Sequence, residues 1–228
     1  MKNFGLSDWA WVEPFAGDNA ESRRLAVHAT DLLSSARIVP TLEEAVSDCV
    51  WVVGTTSRRV RKREGIPPRE LASRAGERSL TGPVALVFGD ERNGLTQKEL
   101  SLCHDLSSIP TSDEQPSLNL AQAVLLYAYE LALVGRQRKT VGTRPSPPGA
   151  TEAELQRLRH DLDLLLNQAG FLKDAGRHGV QDLFAPWIRA PITARETRLW
   201  WTALQLLLRG RKKVGAQRDP PQSGGSVH

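Results

Sequence analysis

Val84-Ala85-Leu86-Val87-Phe88-Gly89-Asp90-Glu91-Arg92-Asn93-Gly94-Leu95-Thr96 is the stretch on which the fold turns. Five apolar residues end at a glycine. A loop of small and polar residues follows, and Thr96-Gln97-Lys98-Glu99 then reads as a capping box that opens a helix. The same grammar appears upstream, where Val50-Trp51-Val52-Val53 ends at Gly54 and continues as Thr55-Thr56-Ser57. Short apolar runs bounded by glycine suit strands buried on both faces of a parallel sheet. A weaker strand is expected over 106–109. Leu120, Val124, Tyr127 and Leu131 fall at helical spacing, which predicts a helix over 117–134 with Ser117 as its N-cap. A further helix is expected over 18–36, and Thr41-Leu42-Glu43-Glu44 opens a short one. Alternating strand, loop and helix define an α/β domain.

Downstream the composition changes. Residues 135–150 hold three prolines and three glycines among basic residues, and read as a linker. Thr151-Glu152-Ala153-Glu154 and Thr193-Ala194-Arg195-Glu196 are further capping boxes, each followed by leucines at helical spacing. A small all-helical region is therefore expected over 151–209, and a disordered basic tail over 210–228. Trp200 and Trp201 read as core and interface residues. Among 228 residues, 40% are hydrophobic and 25% charged, an ordinary globular balance. No run of about 18 apolar residues occurs, and the N-terminus lacks a signal peptide's apolar segment; a cytoplasmic protein with no membrane partner is expected. Cys49 and Cys103 form neither a disulfide framework nor a cysteine-based zinc motif.

The net charge is only +4, yet the cations cluster. Arg58, Arg59, Arg61, Lys62 and Arg63 fall within seven residues beginning at Ser57. Arg136, Arg138, Lys139 and Arg144 form a second group, and Arg209, Arg211, Lys212 and Lys213 a third. A solvated surface accounts for any one cluster equally well. Three of them beside candidate loops favour a polyanion. Ligands of open α/β sheets bind at the carboxyl ends of strands. The loops there are 54–57, 89–96, and 109–111 continuing to 116–119. None is a dinucleotide fingerprint or a P-loop. The motifs of zinc peptidases and serine hydrolases are absent, and Cys103-His104 are helix neighbours whose side chains diverge.

Loops two and three carry a resemblance. Val87 through Leu95, then Ile109-Pro110-Thr111, then Ser117-Leu118-Asn119-Leu120-Ala121-Gln122-Ala123-Val124 resemble the second and third motifs of the SPOUT (SpoU/TrmH) RNA 2′-O-methyltransferases. Val53-Gly54-Thr55-Thr56-Ser57-Arg58 and Ala169-Gly170-Phe171-Leu172 are similar to the TrmJ-type tRNA enzymes within that superfamily. The resemblance implies an α/β fold whose parallel sheet carries a deep C-terminal trefoil knot, spanning 1–134. It implies a homodimer, S-adenosylmethionine as cofactor with no metal, since the sulfonium is already activated, and RNA, chiefly tRNA at its anticodon loop, as partner. Thr55, Thr56, Ser57, Gly89, Ile109, Pro116, Ser117 and Leu118 take the cofactor-binding positions. Ile109 and Leu118 flank the adenine, and Gly89 leaves it room. Ser117 and Asn119 take the catalytic positions, while Glu91 and Asn93 shape the second loop. Arg58, Arg59, Arg61, Lys62 and Arg63 lie where an RNA backbone would pass. The family's first motif, N-x-G-x-x-A-R, with the arginine usually assigned to activating the 2′-OH, has no counterpart here; of the short helix that follows it, only Lys2-Asn3-Phe4-Gly5-Leu6 matches the K-N-x-G-L end. An N-terminally truncated domain with impaired turnover is therefore expected. The alternatives are a ribosomal RNA 2′-O-methyltransferase and a non-catalytic RNA-binding or assembly protein.

Charge reversal at Arg59, Arg61 and Lys62 is expected to weaken RNA binding and flatten its salt dependence. Each lost phosphate contact removes roughly 0.7–0.9 from the log–log slope. Binding measured across a salt series checks this, and an unchanged slope makes the cluster ordinary surface.

Overall fold

The computed structural model describes residues 1–12, 26, 28–57, 65–139, 146–171 and 179–216. The chain divides into two compact units, Met1–Ala153 and Glu154–His228. In the first, β1 (Ala10–Val12) and β2 (Arg37–Val39) pair in parallel. A three-stranded parallel sheet follows, with β3 (Trp51–Thr55) between β4 (Val84–Val87) and β5 (Asp105–Ser107). The helices are α1 (Thr30–Ser34), α2 (Leu42–Ala45), α3 (Pro68–Arg78), α4 (Gln97–Leu102) and α5 (Leu120–Lys139).

Strand alternation divides the core in two. Val52 joins Leu42, Ala45, Val46, Leu100, Cys103 and Leu106 in one cluster. Trp51 and Val53 join Ile66, Leu71, Ala75 and Tyr127 in the other. Helices α2 and α4 thus supply residues to one cluster, α3 and α5 to the other. Helices α3 and α5 also meet through an ion pair between Arg69 and Glu130, 3.5 Å apart. Central β3 is buried from Trp51 to Gly54, as expected, but β4 is half-buried throughout because it lies at a sheet edge.

Strand β5 is held along both edges. The Ser107 carbonyl faces β3 and accepts from the Thr56 amide at 2.9 Å. On the opposite edge, the Ile66 amide donates to the Leu106 carbonyl at 2.8 Å, and the Ser108 amide donates to the Ile66 carbonyl at 3.2 Å. The chain therefore leaves β3 on one side of β5 and returns on the other. Gly65 makes this clasp sterically feasible. A Cβ there would collide with the Ser108 side chain and lie 3.1 Å from its backbone nitrogen.

Several sequence expectations are corrected. The helix foreseen over 18–36 is present only as α1 among the described residues, and Arg37 begins a strand. His28 has a φ of +60°, a left-handed conformation that breaks any helix running through it. Ser117 does not cap α5; the Asn119 side chain does, accepting from the Ala121 amide at 2.9 Å. Helix α5 runs on to Lys139, because one glycine costs too little to stop it. The end of the foreseen linker is docked: Ala150 is buried, and the Gly149 amide donates to the Thr81 carbonyl at 3.0 Å.

The second unit contains most of α6 (Glu152–Gln168), with α7 (Gly179–Arg189) and α8 (Ala194–Ala216). Leu158, Phe184, Leu204 and Leu208 are buried, and Gln205 donates to Asp161 at 2.6 Å. Thr193 and Glu196 form the reciprocal cap of α8 foreseen from the sequence. Trp200 packs on Trp187 at 5.1 Å while staying about half exposed. Helix α8 continues through 210–216, where a disordered tail was expected. No helix among the described residues is long and apolar enough to cross a membrane.

Replacing Gly65 with Val is expected to cost about 1–3 kcal/mol, as overpacking does. Gly135→Ala should instead stabilise by about 0.5–1 kcal/mol, since Gly135 lies within α5 and its Cβ would meet nothing within 4 Å. Urea unfolding of both variants checks the pair.

Candidate functional site

Because β3, β4 and β5 run parallel, their carboxyl ends share one edge, where three loops begin. Specific bonds gather them. The Thr55 hydroxyl donates to the Val87 carbonyl at 3.0 Å, joining the first loop to the root of the second. The Thr56 amide joins the first loop to β5. The Asn119 side-chain amide donates to Glu91 at 2.8 Å, joining the second loop to the end of the third. Within the third loop, the Thr111 hydroxyl donates to the Pro116 carbonyl at 3.1 Å.

The second loop is built on Asp90. Its carboxylate accepts from the amides of Arg92 at 2.8 Å and Asn93 at 2.7 Å. Those bonds, led by the one from Asn93, hold its carboxyl below the usual carboxylate range. The turn closes where the Gly94 amide donates to the Asp90 carbonyl at 3.0 Å. Gly94 has a φ of +69°, which suits glycine. Gly89 also has a steric role inside the loop itself. A Cβ there would run into the backbone of Gly94 and Leu95, with the Gly94 carbonyl oxygen 2.6 Å away. Its bareness admits the loop's own return strand.

Thr55 and Thr56 are half-buried at the end of β3, and Ser57 is exposed. Ile109 is half-buried against the Trp51–Tyr127 cluster. Pro116, Ser117, Leu118 and Asn119 are exposed. The Asn119 side chain is committed at both ends, capping α5 and holding Glu91, which makes it a positioning residue. The basic group Arg58, Arg59, Arg61, Lys62 and Arg63 lies outside the described residues.

Two buried polar groups escaped the sequence reading. His104, expected from the sequence to be a helix neighbour of Cys103, instead follows the end of α4 at Leu102, and it is buried and bonded. The Val52 amide donates to its Nδ1 at 3.0 Å, so its other nitrogen carries the proton and meets Glu152 at 2.6 Å. Tyr127 donates to Ser107 Oγ at 2.9 Å, and burial pushes its hydroxyl pKa up. Neither pairing has a local sequence signal, because the partners are far apart in the chain. Burial also pushes the Cys49 thiol up to about 12, which removes it as a thiolate nucleophile near neutral pH.

A parallel α/β domain with three ligand-sized loops on one strand edge is the architecture of the group-transfer class resembled above. Residues 1–129 match the model of the SpoU rRNA Methylase family, and the chain belongs to that family. It is 36% identical over 178 residues to the tRNA (cytidine/uridine-2′-O-)-methyltransferase TrmJ of Photorhabdus laumondii, covering 77% of this chain and 74% of that protein. The TrmJ of Yersinia pestis (strain Pestoides F) is 38% identical over 180 residues, at 77% and 70% coverage. Among solved structures, TrmJ from Z. mobilis ZM4 superposes with a TM-score of 0.71 and 30% identity, covering 91% of this chain and 90% of that one. A probable methylase family protein from Haemophilus influenzae Rd KW20 gives 0.57 and 29%, at 93% and 89% coverage.

Acidification should loosen the second loop. The lowered carboxyl of Asp90 means its contribution to loop order is complete above the unfolded value near 3.9. It is lost as pH falls through the folded value below that. Protection of the Arg92 and Asn93 amides, taken relative to the intrinsic exchange rate at each pH, is expected to stay constant from about pH 7 to 4.5 and to fall only under stronger acid. Asp90→Ala should show the low protection at every pH.

Proposed function

We propose that the chain binds S-adenosylmethionine in the cleft formed by the three loops and transfers its methyl group to a ribose 2′-OH of tRNA. The observation that carries this reading is the gathering of the loops at one strand edge through Thr55–Val87, Thr56–Ser107 and Glu91–Asn119. The residues fit the ligand. Thr55, Thr56, Ser57, Gly89, Ile109, Pro116, Ser117 and Leu118 are small or apolar and carry no charge, so none repels a sulfonium. Residues 111–119 are all exposed, which leaves their polar groups accessible.

When bound, S-adenosylmethionine supplies a methyl group already activated on sulfur. The chain's own work is then orientation and proton management. The half-buried Ile109 offers an apolar wall for a base, and exposed Leu118 a second. The exposed Ser117 hydroxyl orients the ribose, while Asn119 fixes the start of α5 behind it. An ordinary serine hydroxyl is too weak a base for the 2′-OH, so Ser117 aligns the group and does not deprotonate it. The cations Arg58, Arg59, Arg61, Lys62 and Arg63 follow directly on Ser57 and are assigned to the RNA backbone.

The bonding of β5 by Thr56 on one edge and by Ile66 on the other supports a trefoil knot here. Helix α5 supports a homodimer. It exposes Leu125, Leu126 and Tyr129, and Leu118 is exposed just before its start. Such a face favours a second copy lying against the site. Relatives named as tRNA enzymes support tRNA over ribosomal RNA, although the matched family is described by rRNA.

The test uses protein in excess over labelled S-adenosylmethionine, with deproteinised tRNA and ribosomal RNA offered separately. Nucleoside mass spectrometry should find 2′-O-methylation in tRNA. Methylation of ribosomal RNA alone contradicts the substrate, and no calorimetric signal with the cofactor contradicts the cleft.

A further inference from the structure

From a single position on α5, Tyr127 contacts the roots of the second and third loops and is linked to the first through Ser107. Its hydroxyl donates to Ser107 Oγ at 2.9 Å. Ser107 is fully buried and lies two residues before Ile109. The Ser107 carbonyl accepts from Thr56, in the first loop, at 2.9 Å. Its hydroxyl donates to the Ile66 carbonyl at 2.5 Å, where the chain returns past β5. The Tyr127 ring meets Phe88 edge-on at 5.7 Å, directly before Gly89. The third loop is thus tied at both ends, entering at Ser107 and leaving into the helix that carries Tyr127.

Packing alone does not explain the tyrosine. Phenylalanine would fill the same space beside Phe88 without a hydroxyl to satisfy, and burying a hydroxyl costs stability unless it is bonded. The hydroxyl's bond goes to the node shared by the first and third loops. Resting on the reading that the cleft takes S-adenosylmethionine, we propose that the Tyr127–Ser107 hydrogen bond is a positioning element. It holds the first and third loops at the separation that cofactor binding requires. Tyr127 touches no reacting atom; it acts through Ser107, Thr56 and Ile109.

Calorimetry of S-adenosylmethionine binding to the full chain tests this, with wild type, Tyr127→Phe, Ser107→Ala, the double variant and Val46→Ala compared. Tyr127→Phe keeps the ring contact and should raise Kd about five- to tenfold, the net worth of one hydrogen bond. The Tyr127 and Ser107 effects should be non-additive, as for partners in one bond. Val46, 2% exposed in the other core cluster, is the control. Val46→Ala should lower Tm and leave Kd unchanged. In methyl transfer, Tyr127→Phe should raise KM for the cofactor and leave KM for tRNA as it was.

Equal binding by Tyr127→Phe and wild type overturns the proposal, as does an equal loss in Val46→Ala. Wild-type protein supplies a measurement independent of how the variants fold. Cofactor addition should slow hydrogen exchange at the Thr56 and Ser108 amides about tenfold, and unchanged exchange at both overturns the proposal. No binding by wild type overturns the cleft assignment itself, an outcome distinct from a variant that binds like wild type.

Discussion

The structure depends on β5 being held from both sides. Three residues make a weak strand by themselves. Here Asp105, Leu106 and Ser107 pair with β3 on one edge, while Leu106 and Ser108 bond Ile66 on the other. That double pairing removes an exposed edge, and it brings the end of β3, the return at Ile66 and the start of the third loop into one place. The Ser107 hydroxyl completes the junction inside the protein, with donor and acceptor capacity both used. Few arrangements of loop could satisfy those groups at once, so the loops are specified by buried polar bonding as well as by shape.

Rigidity at the roots contrasts with exposure at the tips. Gly54, Leu106 and Ser107 are buried, whereas Ser57, Asp90 through Gly94 and residues 111–119 face solvent. Asp90 and Thr111 order the tips with local hydrogen bonds that any folded loop could make. Glu91–Asn119 is different, because it ties the second loop to the end of the third. A site with fixed roots and accessible tips suits a ligand held chiefly by backbone groups. Its proposed reaction needs the chain to align the 2′-OH and to let its proton leave, while the leaving group arrives already activated.

What the sequence made legible follows from how each element is stabilised. Strands β3 and β4 announce themselves because continuous apolar runs ending at Gly54 and Gly89 have few other uses. Thr41, Thr96 and Thr193 announce helix starts, because capping is local chemistry. Strands β1 and β2 were missed: they are three residues each and at most half-buried, without a run to mark them. The helix over 18–36 failed where His28 adopts a left-handed conformation that composition does not reveal. Among site residues, the Gly89 position was legible but its steric role inside the loop was not. The clash that excludes a side chain comes from Gly94 and Leu95 folding back, a tertiary fact. His104–Glu152 and Tyr127–Ser107 were invisible for the same reason.

A map of backbone amide shifts in isotopically labelled protein titrated with S-adenosylmethionine reports directly on whether the three loops form one binding site. Saturable shifts are expected at Thr56, Ser57, Gly89, Ile109 and Leu118, which come from three separate stretches of chain. Shifts centred on α7 and α8, or confined to one of the three loops, would contradict a single shared site.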